Sequence, residues 1–304
     1  MGPESMTSQR VTPAPWQGFL QSEIGILRPA DCLFHVVPAL YEKSVSYGSG
    51  TAQGPLAILT ASQQLELYDG VGVPAEKGIF TQAPLACKAS AEQDLLEISA
   101  AVARVLEFYK MPVLLGGEHT VTLGALGALM DASTSIGIVQ FDAHADLRDT
   151  YQNDRLSHAC VMRRAIELGY PLFQIGVRSM STEEVRFRAE NGIGHLDAVQ
   201  IAKNGLPDQI LPAGFPDKIY LSIDVDVLDP SIMPATGTPE PGGLTWYTFF
   251  DILENIFESH RIIGFDVVEL APIAGWHAAD FTCARLIYNL MGFIARSGSR
   301  SLDG

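Results

Sequence analysis

The chain has 304 residues, of which 47% are hydrophobic and 18% charged, enough apolar material for a large core. Its 35 Asp and Glu outnumber 20 Lys and Arg, for a formal charge of −15, which argues against a phosphate-backbone partner and is compatible with a cationic ligand. Four scattered cysteines without a C-x-x-C fit reduced thiols in a cytoplasmic protein, and no apolar run reaches the roughly 18 residues of a membrane span.

Residues 1–24 are polar, contain proline and lack an apolar signal core; they are read as an N-terminal extension to a single domain over 25–300. The first five, Met1-Gly2-Pro3-Glu4-Ser5 before Met6, are read as an appended remnant. A first strand is predicted over 32–38, then a Gly- and Ser-rich stretch over 44–54, and a helix over 56–67 opened by Pro55. Residues 89–110 carry helical apolar spacing, with Ser90 as cap and Gln93 three residues on. A short strand over 112–115 leads through Gly116-Gly117 to Glu118-His119, and a helix follows over 121–130.

The apolar run 136–140 reads as a buried strand ending in Phe141-Asp142-Ala143-His144-Ala145-Asp146. In an extended backbone alternate residues point the same way, so Asp142, His144 and Asp146 converge, and carboxylates with imidazole suit a divalent cation. A polar loop over 147–156 precedes a helix over 157–168. A strand over 172–177 and a helix over 182–190 come next, while 193–209 has no clear period. The β-rich run 218–223 ends in Asp224-Val225-Asp226, a Gly- and Pro-rich loop runs to Gly243, a helix is predicted over 244–260, and a strand over 262–269 ends in Glu269. A helix over 278–296 closes the chain. Strands alternating with helices predict a doubly wound, mostly parallel α/β sheet with helices on both faces.

Six potential ligands therefore stand at three strand ends: His119; Asp142, His144 and Asp146; Asp224 and Asp226. Six exceed the needs of one tetrahedral zinc with an open position and suit two divalent ions that turn a shared water into a hydroxide nucleophile. Without cations the four carboxylates would repel and take up protons.

Gly116-Gly117-Glu118-His119, the 141–146 stretch and 222–230 resemble the three metal-binding motifs of the ureohydrolase family, which includes arginases and agmatinases. Pro234-Ala235-Thr236-Gly237-Thr238-Pro239 resembles the loop after the third motif. The resemblance covers about 47–287 and implies an arginase-like three-layer sandwich, two Mn²⁺ per subunit held by the six ligands, and hydrolysis of a guanidinium group to urea and an amine. It also implies that Glu269 holds the guanidinium, that Thr238 orients the substrate and that His158 shuttles protons at the site mouth. Asp146 is expected to pass a proton from the bridging water to the departing amine. Family members form homotrimers or homohexamers.

Serines, Ser179 and Ser181, stand where arginases carry the aspartates that meet the substrate amino group, which disfavours arginine. Leu147-Arg148-Asp149 and the 157–164 run resemble agmatinases, so the expected substrate is agmatine, giving putrescine and urea, with Asp149 or Asp154 meeting its far amine. Aminopropylagmatine is the alternative, as is guanidinobutyrate if Arg148 meets a carboxylate. Readings from other classes are a one-zinc deacetylase-like enzyme and a non-catalytic metal-binding regulatory protein. No nucleic-acid or membrane partner is expected.

Overall fold

The computed structural model describes residues 16–130 and 135–300, so the expectation about Met1–Ser5 lies outside the described residues. Eight strands form one sheet: β1 Phe34–Pro38, β2 Ile79–Thr81, β3 Met111–Leu115, β4 Ile136–Phe141, β5 Leu172–Ile175, β6 Gly194–Leu196, β7 Lys218–Asp224 and β8 Arg261–Val268. Their order is β2-β1-β3-β8-β7-β4-β5-β6, and all pairs are parallel.

The α-helices are α1 Gln21–Ile24, α2 Gly54–Ser62, α3 Ala91–Glu107, α4 Thr122–Leu129, α5 Val161–Glu167, α6 Thr182–Glu190, α7 Ala198–Asn204, α8 Trp246–Ser259 and α9 Ala278–Arg300. Period-two alternation sorts strand side chains into two cores. Val113, Leu115, Val139 and Phe141 join the core under α2, α8 and α9. Leu114, Ile136 and Ile138 join the core under α3, α4 and α5. Burial on both faces explains why these strands read as unbroken apolar runs.

Two helices show how the sequence dictates the layers. In α3 the Gln93 N–H donates to the Ser90 hydroxyl at 3.3 Å, the cap expected from the sequence. In α8 the Thr245 hydroxyl caps the Thr248 N–H, and Phe249, Ile252, Leu253, Ile256 and Phe257 are buried at helical spacing. Full burial of each of these five is worth about 1.5–3 kcal/mol.

Two three-residue strands fall where no strand was expected. β2 and β6 are the sheet edges, too short to show a period, and β6 is only partly buried. The stretch 193–209 resolves into β6 and α7, the latter closed by a capping box between Asp197 and Gln200. The helix expected over 157–168 begins instead as a 3-10 turn, His158–Cys160, before α5. Phe19 and Leu20, ahead of residue 25, are buried in the first core.

Candidate metal centre and active-site cleft

The carboxyl ends of β3, β8, β7 and β4 are consecutive in the sheet, and each delivers site residues. After β3 the chain turns through Gly117, where a Cβ would lie 1.9 Å from the Tyr41 carbonyl oxygen, so only glycine fits. His119 then opens a 3-10 turn, His119–Val121. Two non-glycine site residues adopt left-handed backbone: Asp146 with φ 53° and Glu269 with φ 66°. Each costs about 1–3 kcal/mol and persists because its surroundings hold it. Residues 142–146 lie beyond β4 and are not a simple extended strand, and the left-handed turn at Asp146 is what brings that side chain back beside Asp142.

The six candidate ligands form two overlapping groups. In the first, His119 Nδ1 lies 3.2 Å from Asp142 Oδ2, 3.0 Å from Asp146 Oδ2 and 3.6 Å from Asp224 Oδ2. In the second, His144 Nδ1 lies 2.9 Å from Asp226 Oδ2 and 3.6 Å from Asp142 Oδ1. Asp142 thus turns one oxygen to each group, an apportionment the sequence left open. Ligand atoms of His119, Asp142 and Asp224, and of Asp142, His144 and Asp226, lie within 4.8 Å of one another.

The electrostatics call for cations. Burial and then the Asp142 charge push the Asp146 carboxyl up to about 7. Burial, then the Asp226 and Asp142 charges, hold Asp224 far above the usual carboxylate range. Burial pulls the His144 imidazole down, but Asp142 and Asp226 more than reverse this, to about 12. Protons thus gather on this cluster when nothing else offsets its charge. His119 Nδ1, fully buried, makes no hydrogen bond among the described residues and faces only carboxylate oxygens. A buried ring nitrogen faced by three carboxylates, in a set of oxygen and imidazole donors, fits divalent cations.

Residues that the sequence reading passed over hold these ligands in place. His119 Nε2 lies 2.9 Å from the Ser222 hydroxyl, which donates to Asp266 Oδ1 at 3.0 Å. Thr122 donates to Asp266 Oδ2 at 2.9 Å. With its one proton on Asp266, Ser222 can only accept from His119, so Nε2 carries hydrogen and Nδ1 keeps its lone pair for the cluster. Gln140 Nε2 donates to Asp142 Oδ2 at 2.6 Å, and Gln174 Nε2 donates to Gln140 Oε1 at 2.6 Å. The available signal was a single polar residue inside each buried apolar strand: Gln140, Gln174, Ser222 and Asp266.

A cleft of about 240 Å³ opens above the cluster. His144, Asp146, Asp224, Asp226, Glu269, Thr238 and His158 line it, whereas His119 and Asp142 lie beneath. The His119 N–H donates to Glu269 Oε1 at 2.6 Å, and burial followed by the Glu118 charge pushes the Glu269 carboxyl well up. His158 stands at the start of its 3-10 turn, edge-on to Tyr151 with ring centroids 5.6 Å apart. Burial and then the His119 charge pull its imidazole down to about 4.

Asp149 and Asp154 are not brought to the cleft. Asp149 Oδ1 pairs with Arg155 at 2.9 Å and Arg164 at 2.8 Å on the outer side of the loop. Asp154 Oδ1 accepts from the Leu156 N–H at 2.8 Å in an exposed turn. Partners in the loop and in the following helix α5 capture both carboxylates. The additional lining carboxylate is Glu184, which caps α6 through Ser181, accepts from the Leu147 N–H at 3.1 Å and lies 3.8 Å from Arg148 Nε. Its sequence signal is a Ser-x-x-Glu capping box, which conceals a second use. Cys160 is buried, as a structural cysteine would be.

A profile of the arginase family matches residues 33–292. The chain belongs to the arginase family. Enzymes of this family are metal-dependent hydrolases that act on guanidino groups. The chain is 38% identical over 303 residues to N(1)-aminopropylagmatine ureohydrolase of Synechocystis sp., covering 96% of this chain and 98% of that protein. It is 34% identical over 275 residues to agmatinase of Pyrococcus horikoshii, covering 89% and 94%. The crystal structure of agmatine ureohydrolase of Thermoplasma volcanium superposes with a TM-score of 0.79 at 26% identity, covering 93% and 96%. Arginase-family membership accounts for the parallel sheet flanked by helices and for two overlapping groups of candidate metal ligands at its carboxyl edge. Among the described residues no helix is long and apolar enough to cross a membrane.

Proposed function

We propose that this arginase-family enzyme releases urea from agmatine, leaving putrescine, with residues 25–300 as its catalytic unit. The observation that carries the reading is Asp142 shared between two ligand groups, with Glu269 at the end of the strand that lies between those leading to His119 and to Asp224. We assign His119, Asp142, Asp146 and Asp224 to one ion and His144, Asp142 and Asp226 to the other, with two Mn²⁺ as the occupants. Bound there, such ions would offset the cluster's charge and would lower the pKa of a coordinated water.

The protein's own groups do the rest. Glu269 offers its carboxylate to the guanidinium N–H donors and is drawn back to its charged form by that cation. Thr238 donates to or accepts from the same group at the cleft wall. Asp146 takes the proton of the attacking water as the C–O bond forms, then gives it to the departing amine nitrogen as the C–N bond breaks. His158 at the mouth carries to solvent the proton that the next water must lose before the cycle can start again. Glu184 takes the place in which Asp149 or Asp154 was expected and receives the far ammonium of agmatine.

A second reading, N(1)-aminopropylagmatine as substrate, is favoured by the Synechocystis relative and by a Thermus thermophilus relative of the same name, 38% identical over 261 residues. A urea-release assay with Mn²⁺ separates the readings by comparing kcat/KM for agmatine, aminopropylagmatine, guanidinobutyrate and arginine. Agmatine is expected first. A preference for arginine or guanidinobutyrate refutes the role of Glu184, because both carry a carboxylate at the far end. We further propose a cytoplasmic homotrimer or homohexamer, on the strength of reduced cysteines and family resemblance.

A further inference from the structure

Both ring nitrogens of His158 meet hydroxyls from one loop, and the adjoining Ser157 Oγ reaches Nδ1 only at 3.5 Å, the outer limit of a hydrogen bond. Ser44 Oγ lies 2.9 Å from Nδ1 and Ser46 Oγ 2.9 Å from Nε2. The two serines differ in what stands behind them. Ser44 Oγ donates to Glu118 Oε1 at 2.7 Å and accepts from the His158 backbone N–H at 3.2 Å. Among the described residues Ser46 Oγ makes no other hydrogen bond.

Glu118 is buried at the base of this contact. Its Oε2 accepts the N–H groups of Lys43 at 2.5 Å and Ser44 at 2.7 Å, and its Oε1 accepts from Thr120 at 2.7 Å as well as from Ser44. Four donors saturate the acceptor positions of one ionised carboxylate. The loop is anchored again by Lys43 Nζ, which pairs with buried Asp94 at 2.8 Å and donates to the Ala89 carbonyl at 2.6 Å.

A hydroxyl has one proton. With that proton committed to Glu118, Ser44 offers only lone pairs to the imidazole, so the hydrogen between them belongs to Nδ1. Nε2 is then the acceptor, and Ser46 donates to it. We propose that Ser44, backed by Glu118, is a positioning residue that locks His158 in the Nδ1–H tautomer, leaving the Nε2 lone pair at the cleft mouth to receive a proton. The catalytic benefit rests on His158 as the proton carrier proposed above; the tautomer does not. The same carboxylate–serine–imidazole order recurs in Asp266–Ser222–His119, where it fixes the opposite tautomer, Nε2–H. Two histidines of one cleft are thus locked oppositely, one to ligate through Nδ1 and one to accept a proton at Nε2.

The test is long-range ¹⁵N–¹H correlation on protein with ¹⁵N-labelled histidine, loaded with Mg²⁺ to avoid paramagnetic broadening, with His158 assigned by its loss in His158→Asn. The expected spectrum shows His158 protonated at Nδ1 alone. Ser44→Ala shifts the ring toward Nε2–H and lowers kcat about tenfold while KM stays within about twofold; Ser44→Thr restores both tautomer and kcat. A wild-type His158 protonated at Nε2 overturns the proposal, and that measurement stands even if Ser44→Ala folds poorly. A Ser44→Ala protein with unchanged tautomer and kcat overturns it equally. Wild-type kcat in His158→Asn removes the proton-carrying role instead, and the spectrum alone then decides the lock.

Discussion

Ser222→Ala tests whether the ligands are held from behind. Ser222 is fully buried, accepts from His119 Nε2 at 2.9 Å and donates to Asp266 at 3.0 Å. Alanine removes both bonds and leaves the Nε2–H of a fully buried imidazole without its acceptor, at a cost of about 1–3 kcal/mol. The ring can escape that cost only by moving its proton to Nδ1, where it would occupy the lone pair needed for the cation. Either route weakens divalent-ion binding at the His119 group by about 10–100-fold, the range that corresponds to about 1.4–2.8 kcal/mol. The assay is Mn²⁺ titration of chelator-stripped protein by calorimetry, paired with melting in excess ion. A tenfold weaker site should forfeit about 1.4 kcal/mol of the stabilisation that a fixed excess of ion provides. A dissociation constant within twofold of wild type, with unchanged melting, refutes the tautomer lock at His119. Asp266 would then still accept from Ser222 in the wild-type protein, but Ser222 would not transmit anything to the ligand.

Other outcomes follow from the same geometry. Asp142→Ala should abolish tight binding at both groups and urea release together, because one side chain serves both; metal analysis showing one full site, or activity retained, refutes the shared role. Glu184→Gln should raise KM for agmatine about tenfold with kcat within about twofold, since it acts on the far end of the substrate and not on the bond that breaks; an equal fall in kcat refutes that placement. Chelator-stripped protein should lose stability as pH rises from about 4 to about 7, the window between the ordinary carboxyl value of Asp146 and its raised value near 7. The raised carboxyls of Asp224 and Glu269 act with the same sign, since a raised folded pKa stabilises fully below the unfolded value and that contribution is lost as pH rises through the folded value. Excess Mn²⁺ should remove the fall; a melting temperature that rises over this interval without metal refutes the account.

The sequence by itself determined the alternation of strands and helices, the strand-end positions of the six candidate ligands and the chemistry of their donor set. Those features are local: apolar periodicity, glycine turns and residue types at short spacing survive in a linear reading. It overlooked β2 and β6 because three-residue edge strands carry no period, and it assigned Asp149 and Asp154 by charge sign alone. Only the folded loop shows that Arg155, Arg164 and the Leu156 N–H had already taken their carboxylates. The tertiary structure alone decided which strand ends are neighbours. In the chain the site strands come in the order β3, β4, β7, β8; in the sheet they lie β3-β8-β7-β4, so the last of them carries Glu269 to a place beside His119. It also decided that Asp142 divides its two oxygens between two groups, and that Ser44, Ser222 and Asp266 stand behind the histidines. The contacts behind the histidines join residues separated by 44 to 114 positions, and parallel crossovers, not local spacing, fix them.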